Sequence, residues 1–319
     1  MPTVFLTGGT GFVGGAVLQH LSRTTDCRVI AGVRKCSGRI PESVTQVIGK
    51  QDSLLFTGPD LLGVDVMIHA AARVHIMNGE GPEALDEFRK VNTRGTLALA
   101  RDAALAGVKR FVFISSIKVN GEGTLPGRPY RADDIPAPQG AYGVSKLEAE
   151  QGLLAIAEET GMEVVIIRPV LVYGPGVKAN FRTMMAWLEK GFPLPFGAIT
   201  NKRSLVALDN LVDLIVTCID HPAAANQVFL ASDGEDLSTT SLLRRLGKAL
   251  GKPARLVPIP VWLLTALAKA LGKAALSQRL FGSLQVNIDK NRALLGWVPK
   301  VSVDGALALT AKDFSERRM

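Results

Sequence analysis

Seven residues near the start of the chain, Gly8-Gly9-Thr10-Gly11-Phe12-Val13-Gly14, constrain its fold more than any other feature. They follow the apolar run Val4-Phe5-Leu6-Thr7, which reads as a strand, and lead into a helical pattern over Gly14 to Ser22. Gly8, Gly11 and Gly14 stand at the spacing G-x-x-G-x-x-G. In a strand–turn–helix unit the early glycines allow a tight turn and close backbone approach, and the last lets the helix pack on the sheet. The start of the helix then offers free N–H groups to a pyrophosphate. The turn residues Gly8, Gly11, Phe12, Val13 and Gly14 are therefore candidates for holding a dinucleotide.

The same alternation runs through the first half of the chain. Strands are expected at Arg28 to Val33, Asp65 to Ala70, Phe111 to Ser115 and Glu163 to Arg168. Helices are expected from about Glu83 to Ala106 and from Tyr142 to Glu159. Short, almost wholly apolar strands alternating with helices predict a parallel sheet covered on both faces. After Pro169 the pattern loosens, with Pro and Gly clustered at 169–197 and helices dominating beyond. The expected fold is α/β: a Rossmann-type doubly wound parallel sheet with a smaller, mainly helical C-terminal substrate region. Residues 1–170, joined by part of 203–222, form the dinucleotide domain in this reading, and 171–319 form most of the substrate region.

Composition narrows the class. With 319 residues, 47% hydrophobic and 21% charged, the chain is long and apolar enough for a full core and is not a disordered one. Cys27, Cys36 and Cys218 are three scattered cysteines, which give no disulfide framework and no CxxC metal pair. A reducing compartment and no metal are expected. The N-terminus has no basic segment before its apolar run, which argues against a secretory signal and for a cytoplasmic location. The best apolar stretch, Leu256 to Ala268, is shorter than the ~20 residues a bilayer span needs. No stable membrane insertion is expected, and the stretch 263–282 reads as a plain core helix, with a membrane-surface contact as the alternative. The net charge of +8 is uneven: residues 241–319 carry 14 basic and 4 acidic side chains. No nucleic-acid module accompanies them, so no nucleic-acid partner is expected.

Chemistry concentrates at a few positions. Arg34-Lys35 stand ~20 residues beyond the glycine turn, where an acidic side chain would accept hydrogen bonds from a free ribose 2′-hydroxyl. A guanidinium there suits a 2′-phosphate, so NADP(H) is expected over NAD(H). Tyr142 and Lys146 lie four residues apart on one helix face. An ammonium beside a phenol lowers its pKa, so Tyr142 is the candidate acid/base. Ser115-Ser116 end the preceding strand, where open α/β sheets hold their ligands.

Taken in order, these motifs resemble the extended short-chain dehydrogenase/reductase family, the NAD(P)-dependent epimerase/dehydratase group acting on nucleotide sugars. The resemblance covers nearly the whole chain. It is carried by Thr7 to Gly14, His69-Ala70-Ala71-Ala72, Val91-Asn92-Thr93-Arg94-Gly95-Thr96, Phe113-Ile114-Ser115-Ser116, the Tyr142/Lys146 pair and Arg168-Pro169 leading to Val172-Tyr173-Gly174-Pro175-Gly176. It implies that Ser116 hydrogen-bonds the reacting oxygen at sugar C4 and that Tyr142 moves the proton. It implies that Lys146 holds the nicotinamide ribose and lowers the Tyr142 pKa. Ala70, Ala71 and Pro169 would line the cofactor groove, and Asn92 would brace the site from its helix. On the substrate side it implies Asn180 and Arg203 at the diphosphate and Pro195 and Phe196 beside the uracil. Arg279 is added as a further basic candidate. Members of the family often dimerise, which here would use the helices near 83–106 and 142–159.

Ser116 is followed by Ile117-Lys118-Val119-Asn120, without the carboxylic acid pair that a nucleotide-sugar dehydratase needs. Within the family, Ala71 to Met77, Ser115 to Glu122 and Arg203 to Val206 are most similar to bacterial UDP-4-keto-6-deoxy-N-acetylhexosamine 4-reductases. Such an enzyme uses NADPH to make UDP-N-acetylfucosamine or UDP-N-acetylquinovosamine for surface polysaccharide. The alternative is a UDP-hexose or UDP-N-acetylhexosamine 4-epimerase with NAD. A non-catalytic cofactor-sensing regulator would be expected to have lost Tyr142 or Lys146.

Overall fold

The computed structural model describes residues 2–24, 26–50, 56–74, 82–125, 127–270 and 280–317. Its main sheet holds β1 (Thr3–Thr7), β2 (Arg28–Val33), β3 (Thr45–Ile48), β4 (Val66–His69), β5 (Arg110–Ile114), β6 (Glu163–Pro169) and β9 (Gln227–Ala231). Their spatial order is β3-β2-β1-β4-β5-β6-β9, and every pairing is parallel. A smaller sheet orders β10 (Asp236–Leu237), β8 (Arg203–Ala207) and β7 (Leu171–Tyr173).

Alternation along each strand builds two cores at once. Val4, Leu6, Val29, Ala31, Ile68, Val112 and Ile167 point to one face, where they pack with Leu18 and Leu21 of α1 (Phe12–Thr24) and Leu211 and Ile215 of α7 (Leu208–Asp220). Phe5, Ile30, Met67, Phe111, Phe113 and Ile166 point to the other. There they meet Leu61 of the short α2 (Gly58–Leu61), Leu99 and Ala103 of α4 (Thr96–Leu105), and Leu153 and Ile156 of α5 (Ala141–Thr160). Because both faces are covered, the strands are apolar throughout rather than alternating in polarity. A third core joins Tyr173 at the end of β7, Phe181 and Met185 of α6 (Ala179–Glu189), Leu243 and Leu246 of α8 (Thr239–Ala249), and Leu307 and Phe314 of the last helix, Val303–Glu316.

Strand order reverses between β1 and β4, whose ends lie side by side with Thr7 opposite His69. In open α/β sheets the crevice beyond such a reversal receives the ligand.

Two local expectations change. The single helix expected over 83–106 is three segments: α3 (Pro82–Phe88), a π-helical turn (Arg89–Gly95) and α4. The core-helix reading of 263–282 fails in its described part. The helix α9 (Val261–Ala270) buries Leu264 and leaves Trp262, Leu263 and Leu267 exposed. Residues 271–279 lie outside the described residues. No helix among the described residues is long and apolar enough to cross a membrane.

Candidate active site

The glycine turn closes on itself and on the end of β4. Gly8 has φ +82°, and a Cβ there would lie 2.6 Å from the Ala71 nitrogen; one on Gly14 would lie 2.3 Å from the Gly8 carbonyl oxygen. The Gly11 N–H donates to that same Gly8 carbonyl at 2.8 Å. Gly8, Gly14, Ala70 and Ala71 are thus in direct contact, and Phe12 and Val13 open α1 above them. This cradle, which side chains would fill, fits a dinucleotide pyrophosphate at a helix N-terminus. Arg34 and Lys35 are exposed immediately after β2, and Pro169 is buried at the end of β6.

Ser116 caps a short 3-10 turn (Ile117–Val119), its Oγ accepting from the Lys118 N–H at 3.2 Å. Gly143 of α5 would place a Cβ 2.6 Å from the Lys118 carbonyl oxygen, so only a glycine lets α5 approach this turn so closely. That approach brings the Tyr142 phenol close enough to Ser116 for the serine hydroxyl to lower its pKa. The Tyr142 ring meets the Phe88 ring edge-on, with centroids 5.8 Å apart. Lys146, one turn along, is buried; its ammonium donates to the Ile114 carbonyl at 2.7 Å and lies 3.9 Å from the centre of the Phe113 ring. The trio expected from the sequence therefore converges at the ends of β5 and the first turns of α5.

Its electrostatics differ from expectation. Burial pushes the Tyr142 phenol up to about 12, opposed by the neighbouring Ser116 hydroxyl. Burial pushes Lys146 down to about 7, opposed by Glu150. In the protein alone desolvation of the phenol dominates, and burial also disfavours the charged form of Lys146.

Supporting residues hold these groups in place. Asn92 lies buried in the π-turn, its Oδ1 accepting from the Arg73 N–H at 2.8 Å and its Nδ2 donating to the Arg73 carbonyl at 3.0 Å. The same Nδ2 donates to Ser145 Oγ at 3.1 Å, and Thr93 Oγ1 donates to the Ser145 carbonyl at 2.9 Å. The turn thus staples the loop after β4 to α5. π-Turns inside helices are frequent at functional sites. His69 is buried between Thr7 Oγ1 (2.7 Å) and Thr96 Oγ1 (3.0 Å), and burial lowers its pKa to about 3.

Beneath Lys146, Glu150 forms a buried ion pair with Arg168 at 2.6 Å and accepts the Ser115 hydroxyl. Arg168 Nη1 also donates to Asn120 Oδ1 at 3.0 Å. Sequence reasoning missed Glu150, although it stands four residues after Lys146 and its helical spacing marks it. Thr93 and Ser145 carry no comparable signal.

The expected substrate-side residues are spread more widely. Asn180 is exposed in the first turn of α6. Pro195 and Phe196 lie on a segment tied to 255–257 by Leu194 N–H to the Arg255 carbonyl (2.8 Å) and Gly197 N–H to the Val257 carbonyl (2.9 Å). Arg203 opens β8 and donates to the Gly282 carbonyl at 3.1 Å. Burial lowers its pKa, and Glu122 opposes that shift. Lys118 is itself ion-paired with Glu122. Arg279 lies outside the described residues. Among the described residues no cluster of His, Cys, Asp and Glu could hold a metal ion.

A dinucleotide cradle at the reversal point of a parallel sheet, beside converging serine, tyrosine and lysine, defines a Rossmann-fold enzyme of the short-chain dehydrogenase/reductase type. A model of the NAD dependent epimerase/dehydratase family matches residues 4–231. The chain belongs to that family. It is 49% identical over 323 residues to a UDP-glucose 4-epimerase of Vibrio cholerae, covering 98% of this chain and 95% of the relative. It is 26% identical over 326 residues to a GDP-6-deoxy-D-mannose reductase of Pseudomonas aeruginosa, covering 98% and 97%. Among solved structures, UDP-glucuronic acid 4-epimerase of Bacillus cereus in complex with NAD superposes with a TM-score of 0.79 at 20% identity, covering 99% of this chain and 100% of that one. That likeness shows the fold.

Proposed function

We propose that the protein is a 4-epimerase of a UDP-hexose or UDP-N-acetylhexosamine. The observation that carries this reading is the 49% identity to the Vibrio cholerae UDP-glucose 4-epimerase over 98% of the chain. The convergence of Ser116, Tyr142 and Lys146 supports it. In this proposal Gly8, Gly11, Phe12, Val13, Gly14, Ala70, Ala71, Asn92, Lys146 and Pro169 hold NAD(P) within residues 1–170. Residues 171–319 supply most substrate contacts, with Asn180, Pro195, Phe196 and Arg203 as candidates.

Bound NAD(P) would supply the acceptor and donor of hydride at C4. The chain's own residues handle the proton. As the tyrosinate, Tyr142 takes it from the C4 hydroxyl, and as the phenol it returns it after the sugar has turned its other face, while Ser116 holds the C4 oxygen. With its pKa near 12, the phenol is protonated at neutral pH and ready to donate. Taking a proton calls for a cation beside it, and Lys146 is that group. Glu150, which favours the protonated lysine, therefore tunes the pair from one turn below.

A second reading is the reduction of a UDP-4-keto-6-deoxy-N-acetylhexosamine with NADPH, on the way to a surface polysaccharide. One observation favours it: the exposed Arg34 at the end of β2, suited to a 2′-phosphate. The two readings separate in one experiment. Purified protein is incubated with UDP-glucose or UDP-N-acetylglucosamine, without added cofactor, and the sugars are resolved by NMR. In parallel it receives NADPH and UDP-4-keto-6-deoxy-N-acetylglucosamine. Interconversion of the C4 epimers without cofactor consumption is expected. Stoichiometric NADPH oxidation with no interconversion would replace the epimerase by the 4-reductase.

A further inference from the structure

From Leu237 to Ile288 the chain carries eight basic side chains and no acidic one. Within this stretch α9 presents an unusual face. Trp262, Leu263, Ala266, Leu267 and Ala270 recur at helical spacing, and all are exposed. Trp262 is 71% exposed and Leu267 57%. Val257, just before the helix, is exposed as well. A contiguous apolar stripe of this kind on a soluble fold marks an interaction surface.

The charge around it identifies the partner. Arg244, Lys248, Lys252, Arg255 and Lys269 are exposed and make no ion pair with any described residue. Arg244 and Lys248 of α8 line a cleft of about 530 Å³ with Gly251, Pro253 and Ala254, on the chain that leads into α9. Among the described basic residues of this stretch, Arg245 alone is neutralised, by Glu235 at 2.5 Å. Apolar side chains with a tryptophan among them, preceded along the chain by unpaired cations, match the boundary of an anionic bilayer. Tryptophan suits that boundary because one end of its ring is apolar and the other polar. A second copy of the chain fits less well, because a two-fold contact would bring like cations together.

We propose that α9 and the basic residues before it seat the protein reversibly on an anionic membrane surface. The described helix, Val261–Ala270, is 10 residues, and in this proposal it lies in the interface with its apolar stripe toward the lipid. The Leu194–Leu256 bridge and the Gly197–Val257 hydrogen bond tie this seat to the segment bearing Pro195 and Phe196. Membrane attachment would therefore set one edge of the candidate substrate region next to the lipid surface. This inference does not depend on which C4 reaction the enzyme performs.

The test is flotation of the full-length protein with vesicles of phosphatidylglycerol and phosphatidylcholine in equal parts, and with vesicles of phosphatidylcholine alone. Two variants accompany it: Trp262→Ser with Leu267→Ser, and Lys248→Glu with Lys252→Glu. Every altered side chain is exposed, and circular dichroism checks the fold. The wild type should float with the anionic vesicles and not the neutral ones, and added salt should release it. Each variant should lower the partition by about tenfold or more. Failure of the wild type to float overturns the proposal, as does equal binding to neutral vesicles. So does self-association in analytical ultracentrifugation that the Trp262/Leu267 variant abolishes in the absence of vesicle binding.

Discussion

Removing the Glu150 carboxylate should destabilise the fold far more than a typical substitution. Glu150 and Arg168 are 3% and 4% exposed, and their closest contact is 2.6 Å. In Glu150→Ala, Arg168 Nε and Nη2 lose their acceptor and Nη1 keeps Asn120 alone. The Ser115 hydroxyl loses its acceptor as well. Stranding one partner of a buried pair costs about 3–5 kcal/mol. Unfolding entropy of about 2.1 cal/mol/K per residue makes 1 kcal/mol worth about 1.5 °C in a chain of 319 residues. The expected loss is then about 5–7 °C in Tm, with a matching fall in the denaturant midpoint at unchanged m. The double variant Glu150→Met with Arg168→Met leaves no charge unpaired and should recover most of the loss. A cost below about 1 kcal/mol for Glu150→Ala would refute the reasoning. So would a double variant no more stable than the single one.

Four further outcomes are expected. Tyr142→Phe should lower kcat by about 10²–10⁴-fold while leaving the thermal midpoint in place, as steady-state kinetics and calorimetry would show. Gly14→Ala should weaken NAD(P) binding at least about tenfold by titration calorimetry, because the new Cβ meets the Gly8 carbonyl at 2.3 Å. Lys146 has a folded pKa of about 7 against an ordinary 10.5, so between these values the unfolded chain binds the extra proton and stability rises with pH. Denaturant midpoints should climb from pH 7 towards pH 9, where Cys218, pushed up to about 12 by burial, begins to cancel the rise and Tyr142, also at about 12 in the fold, then reverses it; Lys146→Met should flatten the climb. Arg34→Ser should raise KM for NADPH and leave that for NADH unchanged if the arginine reads a 2′-phosphate.

The parts of the site legible in the sequence are those written locally. Gly8, Gly11 and Gly14 act through backbone geometry within one turn, and Tyr142 and Lys146 share a helix face because they are four residues apart. Strands such as Arg28–Val33 stand out because burial on both faces makes every residue after the first apolar. The features that escape such reading depend on distance or environment. Arg168 reaches Glu150 and Asn120 only after β6 is laid beside β5. Burial reverses the expected tyrosine shift, and burial is a property of the packed molecule. Apolar residues at helical spacing look alike whether the stripe faces the core or water, and so the pattern of α9 reads as a core helix.

The π-turn at Arg89–Gly95 has a bearing on how the chain tolerates length changes. A π-turn holds one more residue than the α-turn it replaces. Deleting a neighbour such as Val91 would let the segment relax to regular α-helix and keep the rod intact. The flanking helices would keep their phase, because the π-turn is what absorbs the extra residue, and only the side chains of the turn itself would be re-aimed. Asn92 could then no longer bridge Arg73 and Ser145 at once. A one-residue gap here is thus invisible to helix content and decisive for the active site, so the spacing of this segment is a better marker of a working relative than its helicity.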